Sequence, residues 1–424
     1  MRSNGFVRIL VATVIAGIAG YAITWLAARA LGPAIYADFA AFWSFLYLVV
    51  GALSGLQQEG ARAAAPVSRT AATVPHATTR GGTRFMPFAG IVAVITLVVV
   101  GIVGALLAPR LFSHGGAALV LPLALGTAVY VLVAASLGLL YGIELWRPLS
   151  VMIVADVVVR LAALCVVLAF GGGLVALGWA AVVPYPLTLV VLWLAVGPRL
   201  REAQRLDLDA AQLSWNAVRT VGAAAATAVL VSGFPVVLTS FSADAPRAVL
   251  GALILAITLT RAPLVVSSLA LQSYLVVFFK ARLDTLARAV AVIVAAICVL
   301  TAVLSAIVGL LGPVLLDVLF GAGYRLDGGY LAILTASSAP TALLAITGSA
   351  VLARSRHSLY VAGWAVGALA GLALLALPLS LETRAVVALT AGPLLGVAVH
   401  LVGSIVPVFG RRPGRGSATE RVTG

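Results

Sequence analysis

Charge is scarce in this chain of 424 residues. Only 9% of the residues are Asp, Glu, Lys or Arg, and 62% are hydrophobic, whereas a soluble domain carries about 25% charged residues. A soluble fold could not present so little charge to water without aggregating. Apolar runs of about 20 residues recur instead, and each is long enough to cross about 30 Å of hydrocarbon as a helix that satisfies its own backbone hydrogen bonds.

The sequence also lacks the residues that most enzyme sites require. Its two cysteines, Cys165 and Cys298, lie in apolar runs and indicate packing residues rather than a disulfide framework. We find no glycine-rich phosphate loop, no metal-ligand cluster and no nucleophile–base pair with usable spacing, so no cofactor or metal is predicted. The connections on the outer side are too short to hold a catalytic domain, which argues against an enzyme.

The formal charge of +14 could indicate a nucleic-acid partner. The basic residues, however, are scattered between apolar runs without aromatic interleaving, so we attribute them to membrane topology and expect no nucleic acid.

The apolar runs predict an all-α membrane protein with twelve spans. These lie near residues 6–31, 36–58, 85–108, 117–142, 148–170, 174–197, 218–241, 249–275, 289–311, 329–352, 358–380 and 385–409.

The placement of basic residues supports this count. With the N terminus inside, 20 of the 27 Lys and Arg residues fall on the inner side, and two lie within spans. The five on the outer side are Arg29, Arg110, Arg247, Arg325 and Arg384. This asymmetry fits the positive-inside rule and predicts that both termini are cytoplasmic.

The spans and connections divide the chain into four parts. Residues 1–197 are predicted to form an N-terminal six-helix lobe, and residues 218–409 a C-terminal six-helix lobe. Residues 198–217 mix charged side chains with leucines, which predicts an amphipathic cytoplasmic linker. Residues 410–424 are rich in Gly, Arg and Ser and are predicted to be a disordered cytoplasmic tail.

Arg261 is the most informative residue, because it lies about halfway along the eighth span. A guanidinium at that depth costs several kcal/mol if it faces lipid, so it should face a wet cavity or the protein interior. Ser268 and Gln272 follow at steps of seven and four and would share its helix face. The alternative is an arginine tied to helix carbonyls for packing.

Asp156 and Arg160 are four residues apart in the fifth span and can form an ion pair. The pair is either structural, or functional with Arg160 shared between Asp156 and a substrate. Arg29 lies near the outer end of the first span, where Asp38 is its expected partner. The net charge of the spans favours an anionic rather than a cationic substrate.

Small and polar residues form two stripes, one in each of the first two spans, which are Thr13, Gly17, Gly20 and Thr24, and Ser44, Tyr47, Gly51, Ser54 and Gln58. Such stripes line a hydrated cavity or permit close helix packing. Six prolines are predicted to break or kink spans: Pro122, Pro184, Pro235, Pro263, Pro340 and Pro393.

The segments at residues 28–36, 260–272 and 312–325 resemble segments of bacterial polysaccharide flippases of the multidrug/oligosaccharidyl-lipid/polysaccharide exporter superfamily. Residues 28–33 read Ala-Arg-Ala-Leu-Gly-Pro and precede Tyr36, as in the first two spans of those proteins. Residues 260–272, beginning Thr-Arg-Ala-Pro, are similar to their eighth span, and residues 312–325 to their outer segment after span nine.

This resemblance implies two six-helix lobes arranged as a V and a flippase that moves a polyprenyl-pyrophosphate-linked oligosaccharide between leaflets of the bacterial plasma membrane. Arg261, with Arg160 and Arg29, would hold the pyrophosphate. The expected partners are the lipid-linked glycan, membrane lipids and glycan assembly enzymes. One alternative is an ion-coupled exporter of drugs or other small molecules, which would need Asp156, and another is a membrane glycosyltransferase or polymerase.

Overall fold

The computed structural model describes residues 2–64, 83–113, 116–204, 206 and 209–405, and nearly all of them are helical. The predicted tail at 410–424 lies outside the described residues. The α-helices of at least 7 residues are Arg2–Ala64, Phe85–Leu111, Gly116–Gly142, Trp146–Ala169, Leu174–Val182, Pro184–Ala203, Ala210–Val231, Phe234–Ser240, Arg247–Arg261, Gln272–Lys280, Leu286–Phe320, Gly328–Ala336, Ala339–Ala353, His357–Leu375 and Leu381–Ile405.

Within the described residues, these helices form the twelve predicted spans. Ten helical stretches of this part of the chain are long and apolar enough to cross a membrane. The first, Val11–Ala64, has 54 residues, about 80 Å of helix, which is far too long for one crossing. It breaks at Gly32, whose φ of 69° favours glycine, and both of its halves line one cavity, so it counts as two spans. The bent pair Ala210–Val231 and Phe234–Ser240 counts as one further span, which brings the total to twelve.

We number the spans 1 to 12 in chain order. The face at which span 1 begins is called the inner face, because its basic connections are predicted to be cytoplasmic, and the opposite face is called the outer face.

The linker predicted at 198–217 is shorter than expected. The helix of span 6 continues to Ala203, and span 7 begins at Ala210, where the Asp209 carboxylate caps it by accepting from the Gln212 amide at 2.6 Å.

The packing of buried side chains gives two six-helix lobes arranged as a V. In the outer half, one apolar core joins both lobes and includes Phe42 and Leu111 together with Leu253 and Phe320. In the inner half no single core does this. One core joins the N-terminal lobe to the inner end of span 7, and the others lie within the C-terminal lobe. The first contains Leu53, Leu56, Leu140 and Leu200 with Leu213 and Ala217, and the others contain Leu230, Leu344, Trp364, Leu275 and Phe279. The lobes therefore share a core in the outer half, and in the inner half span 7 is the part of the C-terminal lobe that packs on the core of the N-terminal lobe.

Polar contacts also close the outer face. The guanidinium of Arg247 in span 8 lies 3.7 Å from the carboxylate of Asp38 in span 2, and donates to the carbonyl of Arg110 at 2.9 Å. The hydroxyl of Tyr324, in the connection after span 9, donates to the carbonyl of Ala28 in span 1 at 2.8 Å. Each contact joins the two lobes at their outer ends.

Candidate functional site

A cavity of about 560 Å³ lies between the lobes. The N-terminal lobe contributes spans 1, 2, 4, 5 and 6, and the C-terminal lobe contributes spans 7 and 8. Gly17, Gly20 and Thr24 of the span 1 stripe line it, as do Ser44 and Tyr47 of span 2. The charged side chains among its lining residues are Asp156, Arg160 and Arg261.

Arg261 lines the cavity from the C-terminal lobe and is only 6% exposed. It ends the first helix of span 8 and is followed by a π-helical turn, Ala262–Val266, that contains Pro263. Its Nη2 donates to the carbonyl of Leu230 at 2.8 Å and contacts the Thr341 hydroxyl at 3.5 Å. Its Nε has no hydrogen-bond partner among the described residues.

The break in span 7 explains the position of this cation. Leu230 lies in the last turn of the helix that ends at Val231, so its carbonyl belongs to a helix C-terminus, which carries partial negative charge. A carbonyl dipole does not neutralise a full positive charge. In the described part of the chain, the ion pairs involve other side chains, so Arg261 remains an uncompensated cation beside a cavity.

Neighbouring side chains bond both terminal nitrogens of Arg160, whereas its Nε has no hydrogen-bond partner among the described residues. The predicted pair with Asp156 is present, with Nη2 at 2.9 and 2.8 Å from the two carboxylate oxygens. Its Nη1 donates to the hydroxyl of Tyr47, and its charge lies 4.9 Å from the centre of the Tyr185 ring. Arg160 is 1% exposed, whereas the Asp156 side chain is 27% exposed. The carboxylate is therefore the more accessible member of the pair.

Ser268 and Gln272 do not line the cavity with Arg261, although an ideal α-helix would place all three on one face. The π turn between them holds one residue more than an α turn and rotates the following residues by roughly 100°. Ser268 is buried, and the Gln272 amide donates to the hydroxyl of Tyr360 in span 11 at 3.0 Å. The shared face was therefore a wrong prediction.

Arg29 also lies apart from the cavity. It is exposed near the outer end of span 1 and is absent from the lining residues. The carboxylate of Asp38, which was expected to pair with it, accepts from the Ser113 amide at 2.9 Å and lies near Arg247. The geometry therefore does not group Arg29 with Arg160 and Arg261.

An aromatic wall, which the N-terminal lobe contributes to the cavity, was not predicted from the sequence. The lining residues of this wall are Tyr36, Phe39, Trp43, Tyr47, Tyr130 and Tyr185. Four of these rings follow helical spacing at the start of span 2, and that periodicity was a visible signal. Tyr130 and Tyr185 come from spans 4 and 6, and no local pattern links them to span 2. Within the described residues, no group of three His, Cys, Asp or Glu side chains could hold a metal ion.

Comparison of the sequence identifies close relatives but no matching family model. The uncharacterized protein Rv1510 of Mycobacterium tuberculosis is 36% identical over 408 residues, which cover 96% of this chain and 91% of that protein. The uncharacterized protein Mb3654 of Mycobacterium bovis is 37% identical over 403 residues, covering 94% and 92%.

Comparison of the backbone gives the fold. An inward-facing multidrug resistance MATE family transporter of the MOP superfamily matches with a TM-score of 0.70 and 13% identity over 94% of this chain and 97% of that one. An outward-facing structure of such a transporter gives 0.60 and 13%, with 94% of each chain covered. The lipid II flippase MurJ in an inward closed conformation gives 0.66 and 14%, covering 94% and 87%. The chain has the fold of these membrane transporters.

Proposed function

This chain belongs to one family with the mycobacterial proteins Rv1510 and Mb3654 and has the MOP transporter fold, and from this we propose that it is a flippase. Its substrate is a polyprenyl-pyrophosphate-linked oligosaccharide, which it moves from the cytoplasmic to the outer leaflet of the bacterial plasma membrane by alternating access. Both termini are cytoplasmic, as the excess of basic residues on the inner face favours. The fold shared with a lipid II flippase supports a lipid-linked substrate.

The uncompensated guanidinium of Arg261 carries the proposal. A buried cation whose contacts are a carbonyl, a hydroxyl and the ring of Phe234 is costly, and an anion that enters the cavity reduces that cost. Guanidinium groups bind phosphate oxygens with paired hydrogen bonds, and Nε of Arg261 is available for one of them. The pyrophosphate of the carrier therefore lies against Arg261.

The lobes border each other along two lines, between spans 2 and 7 and between spans 1 and 8, which we call seams. The two seams differ in a way that suits a lipid tail. Between spans 2 and 7 the backbones touch, because a Cβ built on Gly55 would lie 2.3 Å from the carbonyl oxygen of Thr220. Between spans 1 and 8, a Cβ on Gly17 or Gly20 would meet no atom within 4 Å, and Val266 of span 8 is exposed. The polyprenyl chain leaves the cavity through this second seam and stays in lipid.

The membrane potential supplies a driving force without a dedicated proton relay. An inside-negative potential favours outward movement of an anion by about 2.3 kcal/mol per charge per 100 mV. Arg261 stays within its lobe, so the net charge that crosses is that of the pyrophosphate.

Charge removal at Arg261 tests the proposal. Arg261→Ala should reduce translocation of a fluorescent glycosylated polyprenyl pyrophosphate in proteoliposomes by at least tenfold, and Arg261→Lys should restore only part of it because the paired geometry is lost. Arg325→Ala, which removes an exposed arginine outside the cavity, is the matched control and should keep full activity. Full translocation by Arg261→Ala would remove the pyrophosphate role.

The second candidate function is an ion-coupled exporter of drugs or other small molecules, and the exposure of Asp156 to the cavity favours it. The fold is shared with a multidrug transporter as well. In that case Asp156→Asn should abolish drug efflux that depends on a Na⁺ or H⁺ gradient. Efflux measured in vesicles with and without each gradient separates this function from the flippase.

A further inference from the structure

The aromatic wall has accessible rings on the cavity side and a charged layer behind them. Trp43, Tyr47 and Tyr130 are each partly exposed, whereas Tyr185 is buried beneath them. The ring centres of Trp43 and Tyr47 are 4.9 Å apart, and those of Tyr130 and Tyr185 are 5.0 Å apart. Rings from three spans therefore form one surface.

Arg160 holds this surface together. Its guanidinium lies 5.7 Å from the centre of the Tyr47 ring and 5.9 Å from that of Trp43, so it attracts the faces of rings from span 2 as well as Tyr185 of span 6. Because Arg160 is 1% exposed and already bonded to Asp156 and Tyr47, it is a positioning residue rather than a ligand for phosphate.

The accessible polar group of the wall is the carboxylate of Asp156. Both of its oxygens accept from the same Arg160 nitrogen, which leaves lone pairs on each oxygen for donors in the cavity. Beside it lie the partly exposed rings. The wall thus presents apolar ring faces and an anionic acceptor, while Arg261 presents a cation from the opposite lobe.

A pyranose sugar matches this chemistry. Its ring has an apolar face of C–H groups, which packs on aromatic rings, and an edge of hydroxyls, which donate to a carboxylate. A phosphate fits poorly there, because Asp156 would repel it. We propose that Trp43, Tyr47, Tyr130 and Asp156 form a sugar subsite, separate from the pyrophosphate position at Arg261. This inference rests on the proposed function and adds where the glycan binds.

Calorimetric binding to the full-length purified protein tests the subsite. The probes are farnesyl pyrophosphate and the same lipid carrying one glucose, galactose, rhamnose or N-acetylglucosamine. The wild-type protein should bind at least one glycosylated probe about threefold to tenfold more tightly than the sugarless lipid, the usual range for one aromatic contact. Trp43→Ala should lose this gain without a change in sugarless binding, and Trp43→Phe should keep most of it.

Two further variants make the result decisive. Tyr130→Ala should also lose the gain, which tests the subsite even if Trp43→Ala does not fold. Trp215→Ala, which removes an exposed tryptophan outside the cavity, should match the wild-type protein with every probe. The inference is overturned if no sugar raises affinity, if both ring variants keep the gain, or if they weaken both classes of probe equally.

The Arg261→Ala variant separates this inference from the proposed function. Loss of sugarless binding in that variant, with the sugar gain dependent on Trp43, supports both. If Arg261→Ala binds farnesyl pyrophosphate as the wild-type protein does while Trp43→Ala still loses the sugar gain, the pyrophosphate account fails and the sugar subsite stands. If Trp43→Ala loses binding of a planar cation such as ethidium and keeps the sugar gain, the wall is a drug site instead.

Discussion

At the scale of single residues, the two buried arginines differ in what balances their charge. Arg160 has a carboxylate, a hydroxyl and three aromatic rings around it, whereas Arg261 has a carbonyl, a hydroxyl and one aromatic ring, and no carboxylate partner among the described residues. The sequence showed both as charges within spans and could not show this difference. Tyr47 and Tyr185 belong to other spans, and they contact Arg160 only in the folded structure. Only the tertiary contacts place Arg160 in the aromatic wall and leave Arg261 outside the ion pairs of the described residues.

The ion pair of span 5 gives a prediction for stability. Asp156→Ala leaves the buried Arg160 charge without its partner and should lower the free energy of unfolding by about 3–5 kcal/mol. The double variant Asp156→Ala/Arg160→Met removes both charges and should recover most of that loss. Unfolding titrations in detergent measure both. Wild-type stability of Asp156→Ala alone would mean that water reaches Arg160 and that the pair is not structural.

His400 and Gly363 give a second prediction at this scale. The buried imidazole contacts the Thr347 hydroxyl at 3.0 Å and the Tyr360 carbonyl at 3.2 Å, and a Cβ on Gly363 would lie 2.1 Å from its Nε2. Gly363→Ala should therefore destabilise the protein by about 1–3 kcal/mol. The Gly90→Ala control meets no atom and should stabilise it by about 0.5–1 kcal/mol. Thermal unfolding of both variants checks this.

At the scale of helices, the prolines show what a local pattern predicts and where it fails. Helix breaks occur at Pro184, Pro235, Pro263 and Pro340, as predicted. Pro122 and Pro393, by contrast, lie inside continuous helices, so no break occurs at these two positions. A proline removes one hydrogen bond and permits a kink, but packing against neighbouring helices decides whether the helix breaks.

Helix packing gives a prediction for the two seams. Gly55→Ala places a methyl against the backbone of span 7 and should destabilise the protein by about 1–3 kcal/mol, since a carbonyl cannot rotate away as a side chain can. Gly17→Ala in the open seam should cost no stability, because nothing lies within 4 Å of its Cβ position. Unfolding midpoints of the two variants compare the seams directly, and equal destabilisation would contradict the open seam between spans 1 and 8.

At the scale of the whole molecule, one core joins many spans of both lobes in the outer half, whereas in the inner half span 7 is the part of the C-terminal lobe that packs on the core of the N-terminal lobe. The proposed alternating access requires the outer contacts to break. The Arg247 guanidinium is central among them, because it binds two segments of the other lobe.

This gives a prediction for conformational balance. Arg247→Ala should raise the population of the outward-open state, because the lobes lose their contacts at Asp38 and Arg110. The readout is Thr258→Cys, at a residue that lines the cavity, in a Cys165→Ala/Cys298→Ala background. A membrane-impermeant maleimide added outside intact cells should label this site severalfold faster when Arg247 is replaced. The Arg325→Ala control should not change the rate, and an unchanged rate in Arg247→Ala would exclude the contact as a gate.

Hydropathy and the cost of an intramembrane charge are local properties of the chain, so the spans, their number and the presence of charges within them follow from the sequence. Which face each residue presents, and what it contacts there, follows from the packing of the spans. The π turn after Arg261 places Ser268 and Gln272 away from the cavity. Tyr47 and Arg160 are 113 positions apart in the sequence and form a hydrogen bond in the fold. Such contacts depend on helix register and on packing between spans, which no local periodicity specifies.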